Sequence, residues 1–289
     1  MRTLRTIPEL RALLSEVRAD GSDIGLVPTM GYLHDGHTSL VRRAAAECDQ
    51  VVTTIFVNPL QFAPGEDLDA YPRDPAGDAE KASAAGTTVL FCPEPDEMYP
   101  TGADDVLTVV TVGLLGQAME GESRPTHFAG VCTVVAKLFN IVGPCRAYFG
   151  EKDYQQLASI RRMAADLSFP VEVVGCPTLR EPDGLAMSSR NAYLSEPERT
   201  VAPVLHEALT LGARLILGGE TDASAVRAEM ARAVRSAPLG ELDYVAVADP
   251  DTLQPVERCD PGSRLFGAIR FGRARLIDNI AAGEATDAG

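Results

Sequence analysis

Apolar positions along this chain follow two rhythms. Leu10, Leu13, Leu14 and Val17 recur at three- and four-residue intervals behind Pro8 and ahead of Gly21, a spacing that predicts a helix with a start and a stop signal. Short unbroken runs, rich in β-branched residues, follow at Ile24 to Val27, Val51–Val57, Thr88–Cys92, Leu107–Val112, Ala147–Phe149 and Val171–Cys176. These read as strands buried on both faces. Helical spacing fills the intervals at His37–Cys48, Pro75–Ala85, His127–Val142 and Asp153–Leu167. Such alternation predicts βαβ units and a mostly parallel sheet in an α/β protein. In the His127 helix, Val131, Val134, Val135, Leu138, Phe139 and Val142 form a stripe suited to core packing, with Lys137 off it.

The pattern changes near Leu179. A loop rich in Pro, Gly and Asp leads into Ala- and Leu-rich helical stretches around 196–217 and 222–236. Strand-like stretches then follow at Leu242–Ala248 and Leu265–Ile277, with turns at Asp249-Pro250-Asp251 and Asp260-Pro261-Gly262. The expected organisation is a larger nucleotide-binding domain over 1–179 and a smaller α+β domain over 180–289. The small, polar tail from about 281 is expected to be disordered.

Composition narrows the function. With 289 residues, 45% of them hydrophobic, the chain can bury a large core. A formal net charge of −15 and a pI near 4.7 argue against a nucleic-acid or acidic-membrane surface, so any anion site must be local. Lys81, Lys137 and Lys152 are the three lysines against 23 arginines (26 − 3), which singles out Lys137 and Lys152. Six cysteines, Cys48, Cys92, Cys132, Cys145, Cys176 and Cys259, form no C-x-x-C pair and read as reduced thiols of a cytoplasmic protein. No signal peptide or uninterrupted membrane-length apolar run is evident.

The chemistry concentrates at three strand ends, where ligands of open α/β sheets collect. After Val27, the turn Pro28-Thr29-Met30-Gly31 leads into His34-Asp35-Gly36-His37 at a helix start. Unpaired N–H groups and the dipole attract anions there, and Gly36 leaves room for close approach, which suggests phosphate chemistry. The competing readings are surface polarity or half of a metal site, but His127 and His206 lie in unrelated segments, which weakens the metal reading. After Val57, Asn58 and Gln61 offer neutral amides beside an apolar pocket, or simple turn chemistry. After Phe149, Lys152 sits in Gly150-Glu151-Lys152-Asp153-Tyr154-Gln155-Gln156 near another helix start; the alternative is a solvated lysine. Met187-Ser188-Ser189-Arg190-Asn191 places two hydroxyls and a guanidinium in a mobile-looking loop suited to a polyphosphate, or to helix capping. Arg124 and His127 either face this chemistry or cap the long helix.

Taken in order, Pro28 to Gly31 with His34 to His37, Phe56 to Phe62, Tyr71-Pro72-Arg73-Asp74, Phe149 to Leu157 and Met187 to Asn191 resemble the pantoate–β-alanine ligase (pantothenate synthetase) family. The resemblance runs from near residue 1 to about 280, more by pattern than by residue in the C-terminal part. It implies a Rossmann-like fold of the nucleotidylyltransferase superfamily and an ATP- and Mg²⁺-dependent condensation of (R)-pantoate with β-alanine through a pantoyl adenylate. Met30, Gly31, Tyr32, Leu33, His34, Asp35, Gly36 and His37 would bind ATP, with His34 and His37 on its phosphates and His37 as proton donor. Lys152 with Ser188, Ser189 and Arg190 would grip the phosphates, and Gly150, Glu151, Asp153 and Leu179 the ribose and adenine, with Met187 beside them. Gln61 and Gln156 would bind pantoate, Gln61 also facing β-alanine, while Asn58, Arg124 and His127 would support. The Mg²⁺ ligands stay unassigned, and no tightly bound organic cofactor is expected. The family also implies a cytoplasmic homodimer whose second domain closes over the nucleotide. The rivals are other adenylyl-transferring enzymes, such as a nucleotidylyltransferase or a class I aminoacyl-tRNA synthetase, and a non-catalytic ATP sensor.

Overall fold

In the computed structural model, the described residues are 1–62, 68 and 71–286. The chain divides into two compact units, Met1–Gly150 with Gln155–Pro177, and Glu151–Tyr154 with Thr178–Gly289.

The first unit carries β1 (Arg2–Leu4), α1 (Ile7–Ala19), β2 (Ile24–Thr29), α2 (Asp35–Glu47), β3 (Gln50–Ile55), α3 (Pro75–Ala85), β4 (Val89–Phe91), α4 (Pro95–Met98), α5 (Glu120–Ser123), α6 (His127–Val142), β5 (Cys145–Gly150), α7 (Tyr154–Asp166) and β6 (Val171–Cys176). Tyr154, the first residue of α7, groups with the second unit. Thr6 caps α1 in a reciprocal box with Glu9, and Pro8 stands in its first turn, the start that the apolar spacing predicts. The six strands pair in parallel in the order β1-β4-β3-β2-β5-β6. Leu26, Val27, Val51 and Val52 of the central strands are buried, and so are the polar Thr53 and Thr54 of β3. The order reverses between β2 and β5, and the segment beyond the carboxyl end of β2 is the His34–His37 motif.

One expected strand is absent. Leu107–Val112 pairs with no strand, and Leu107 is 98% exposed. Its β-branched composition predicts a strand, but composition expresses packing on a sheet neighbour. Here the main chain is held instead by a bond from Val110 N–H to Thr133 Oγ1 (3.0 Å) on α6.

The second unit holds α8 (Glu196–Val201), α9 (Val204–Leu217), α10 (Ala223–Arg235), β7 (Glu241–Ala248), β8 (Arg264–Phe271) and β9 (Ala274–Ala281), the strands antiparallel in that order. The helical stretch expected at 196–217 is interrupted at Ala202-Pro203, since proline cannot donate to the preceding turn. Glu196–Leu217 is the one helical stretch among the described residues long and apolar enough to cross a membrane by length and composition. Leu205, Ala208, Leu209, Ala213 and Ile216 of α9 are buried in the core of this unit, with Val226, Met230, Leu265 and Ile269. β9 reaches Ala281 and a 3-10 helix covers Ala282–Thr286; of the tail expected to be disordered, 287–289 lie outside the described residues.

Candidate active site

The turn after β2 is built by a buried carboxylate. Gly31 (φ 85°) and Tyr32 (φ 52°) both adopt left-handed conformations, and a Cβ at residue 31 would lie 2.9 Å from Asp78 Oδ2, so glycine suits both the conformation and the space. Asp78, on α3 and 2% exposed, accepts hydrogen bonds from Tyr32 N–H (2.8 Å) and Leu33 N–H (2.6 Å). Lys81, one turn on, donates from Nζ to Leu33 O (2.8 Å). Neither Asp78 nor Lys81 belongs to a sequence motif that points to this turn. The readable signal was the placement of Asp78 on the same helical face as Ala82 and Ala85, where a carboxylate needs a fixed partner.

Beyond that turn, His34 is the N-cap of α2. Its Nδ1 accepts from Gly36 N–H (3.1 Å), and His37 Nδ1 accepts in return from His34 N–H (3.4 Å). An Nδ1 that accepts leaves the neutral ring's proton on Nε2. The two rings lie 4.1 Å apart between centroids, tilted by 40°. The pair is thus a preset double donor at a helix N-terminus, where main-chain N–H groups already favour an anion.

Asn58 and Gln61 do more than turn the chain. Asn58 caps the 3-10 helix Pro59–Gln61, donates from Nδ2 to Gln61 Oε1 (3.0 Å) and Gly130 O (3.1 Å), and accepts from the Tyr99 hydroxyl (2.7 Å). Burial pushes the Tyr99 hydroxyl well above the usual phenol value, so it stays a donor. Arg124 Nη2 and His127 Nδ1 both lie 3.1 Å from Gln61 O, which makes them supports of the Gln61 turn, His127 also opening α6. Gly130 lets α6 approach that turn: a Cβ there would overlap the Leu60 carbonyl.

Two adjacent glutamines separate cleanly. Gln155 is buried, donating to Leu115 O (2.7 Å) and Ala118 O (2.8 Å) and accepting from Glu120 N–H (3.2 Å). Its amide is fully engaged in holding the loop before α5. Gln156 is half-buried.

Of the remaining expected residues, Gly150 ends β5 in the first unit and the others belong to the second. Lys152 stands in the 3-10 helix Glu151–Asp153, its Nζ 3.1 Å from Asp153 Oδ1. The Met187–Asn191 loop is tied rather than loose: Met187 N–H bonds Leu179 O (3.0 Å), Arg180 pairs with Ala186, and Ser188 caps the 3-10 helix Ser189–Tyr193 by accepting from Arg190 N–H (3.3 Å). Arg180 anchors the loop by a two-pronged bond to the buried Asp278 (2.6 and 3.0 Å) and by one to Gly184 O (3.1 Å). Lys152, Ser188, Asn191, His206 and Asp278 share the lining of a cavity of about 10 Å³. No cluster of three His, Cys, Asp or Glu side chains suited to a metal occurs among the described residues.

A family model described as Pantoate-beta-alanine ligase matches residues 2–281. The chain belongs to the pantoate–β-alanine ligase family. It is therefore an enzyme of the ligase class that serves pantothenate biosynthesis. It is 52% identical over 280 residues to the pantothenate synthetase of Heliobacterium modesticaldum, covering 97% of this chain and 99% of that one. To the pantothenate synthetase of Nitratidesulfovibrio vulgaris it is 54% identical over 264 residues, 91% and 92% of the two chains. Among solved structures, the pantothenate synthetase of Thermus thermophilus superimposes with a TM-score of 0.91 at 50% identity, over 98% and 99% of the chains. The pantoate–β-alanine ligase of Francisella tularensis, solved with β,γ-ATP and β-alanine, gives 0.78 at 32% identity, over 98% of each chain.

Proposed function

We propose that the chain condenses (R)-pantoate with β-alanine through a pantoyl adenylate, using ATP and releasing first diphosphate and then AMP. The observation that carries this reading is the His34–His37 pair, both rings set as Nε2–H donors at the N-terminus of α2. A pantoate carboxylate oxygen attacks the α-phosphorus of ATP, the bond to the bridging oxygen breaks, and diphosphate departs. Negative charge grows on the phosphoryl oxygens and the leaving group. Fixed donors aimed at that charge lower the barrier without reorganising. His34 and His37 are assigned this role, with Lys152, Ser188, Ser189 and Arg190 on the phosphates. Met30 to Leu33, Asp35, Gly36, Gly150, Glu151, Asp153, Leu179 and Met187 bind the rest of the nucleotide.

Gln61 and Gln156 hold pantoate, Gln61 also facing β-alanine, and Asn58, Arg124 and His127 fix the Gln61 turn. The β-alanine amine then attacks the acyl carbonyl, forming the amide as AMP leaves. Mg²⁺ is assigned to the substrate: a triphosphate supplies oxygen ligands itself, and Mg²⁺ takes few from protein. A cytoplasmic homodimer completes the reading. It is supported by six free thiols and by the exposed apolar side chains of Leu107, Val109 and Leu114.

The test is pyrophosphate–ATP exchange with Mg²⁺, with and without pantoate and without β-alanine. Pantoate-dependent exchange is expected. Absence of exchange in a folded, ATP-binding sample would overturn the adenylate route.

A further inference from the structure

Lys152 follows β5 directly and precedes α7, so the sequence assigns its placement to the large parallel sheet. Its neighbours say otherwise. Glu151–Tyr154 groups with the second unit, and two buried polar residues of the small antiparallel sheet account for this. Asn279, on β9 and 3% exposed, donates both amide hydrogens from Nδ2, to Glu151 O (2.9 Å) and Lys152 O (2.9 Å). Its Oδ1 accepts from Arg264 Nε (2.7 Å) on β8. The amide orientation is settled by these partners: turned over, its oxygen would face two carbonyls and its nitrogen a guanidinium N–H. Arg264 is 6% exposed. Its Nη2 reaches Glu151 Oε2 (3.3 Å), and its guanidinium lies 3.6 Å over the Tyr154 ring.

We propose that Asn279, seconded by Arg264, is a positioning residue for Lys152, fixing the main chain on which that ammonium group is presented. Burying an amide and a guanidinium carries a desolvation cost that apolar side chains at these two sheet positions would avoid. What the polar pair provides is direction, since two consecutive carbonyls on one amide allow a single course for the backbone between them. The proposal rests on the assignment of Lys152 to the ATP phosphates. A misplacement of about 1 Å at a charged donor suffices to slow a step steeply.

The experiment measures single-turnover adenylate formation from ATP and pantoate in the full-length enzyme, for Asn279→Ala, Lys152→Ala and the double variant, with ATP Kd and Tm recorded for each. Asn279→Ala is expected to slow the step about 10-fold, with ATP Kd shifted by less than about 3-fold, and to cost nothing further when Lys152 is already alanine. Equal slowing in both backgrounds overturns the proposal, as does a wild-type rate in Asn279→Ala beside a slow Lys152→Ala. A wild-type rate in Lys152→Ala removes the phosphate assignment itself, and the proposal with it. Should Asn279→Ala not fold, Arg264→Lys decides through the same cycle, because lysine keeps the charge but loses the planar fork and the stacking.

Discussion

His34 and His37 show how two side chains gain a role from the hydrogen bonds they accept. Because each Nδ1 takes a main-chain N–H, the cap and the Nε2 donor are properties of one ring. Substitutions at His37 therefore separate them. His37→Asn keeps an acceptor near Nδ1, His37→Gln keeps a donor near Nε2, and His37→Ala keeps neither. We expect His37→Ala and Lys152→Ala each to lose roughly 10²–10³-fold in single-turnover adenylate formation, the size of one transition-state donor, with Gln retaining more rate than Asn at position 37. Unchanged rates in either alanine variant contradict the assignment. His206 gives a second test at this scale. Burial, then the Arg180 guanidinium, holds its pKa below the usual 6.5, with Asp278, whose Oδ2 is 3.7 Å from Nδ1, opposing. A depressed folded value means the unfolded chain takes up the proton first. The contribution of His206 to stability is therefore present above pH 6.5 and lost as pH falls below it. Tm measured between about pH 5 and 7.5 should drop less steeply in His206→Gln than in wild type; parallel curves would remove the effect.

At the scale of elements, α3 holds the turn after β2 through one carboxylate. Asp78→Ala leaves the Tyr32 and Leu33 N–H groups without their acceptor, at about 1–3 kcal/mol for the buried donor. It should also weaken ATP binding by loosening the approach to His34. Asp78→Asn, keeping one acceptor oxygen, should fall between. Denaturant midpoints and ATP titration read both effects, and unchanged ATP affinity in a destabilised Asp78→Ala would confine the carboxylate to stability. The same element shows where sequence reading ended. The His34–His37 motif was legible because a strand, a glycine turn and a helical stripe follow one another locally. Asp78 was not, because its partners lie 45 and 46 residues away. Gln155 and Gln156 look alike in a string of letters; only the loop at 115–120 sets the engaged amide of Gln155 apart. Leu107–Val112 failed in the opposite direction, with strand composition and no strand to pair with.

For the whole molecule, the two rhythms of apolar spacing suffice for the parallel sheet and for a smaller α+β part, since each reports burial within one element. They could not report that Glu151–Tyr154, inside one βαβ stretch, is held by residues more than a hundred positions later, because long-range polar pairing leaves no period. With a net charge of −15 copies of this chain repel at long range, so self-association needs a local apolar contact strong enough to overcome it, and salt should strengthen it. Leu107 at 98%, Leu114 at 67% and Val109 at 49% exposure lie within eight residues of each other, an apolar concentration that an acidic monomer gains nothing by displaying. If this segment is the dimer contact, sedimentation should give twice the chain mass of 30.7 kDa, and the dimer should persist to lower protein concentration as salt is raised. The double variant Leu107→Glu, Leu114→Glu, which adds charge to the contact from both copies, should run as the monomer with the Tm of the single chain preserved. A wild type that stays monomeric at every concentration removes the homodimer from the reading, and a variant that stays dimeric moves the contact elsewhere on the surface.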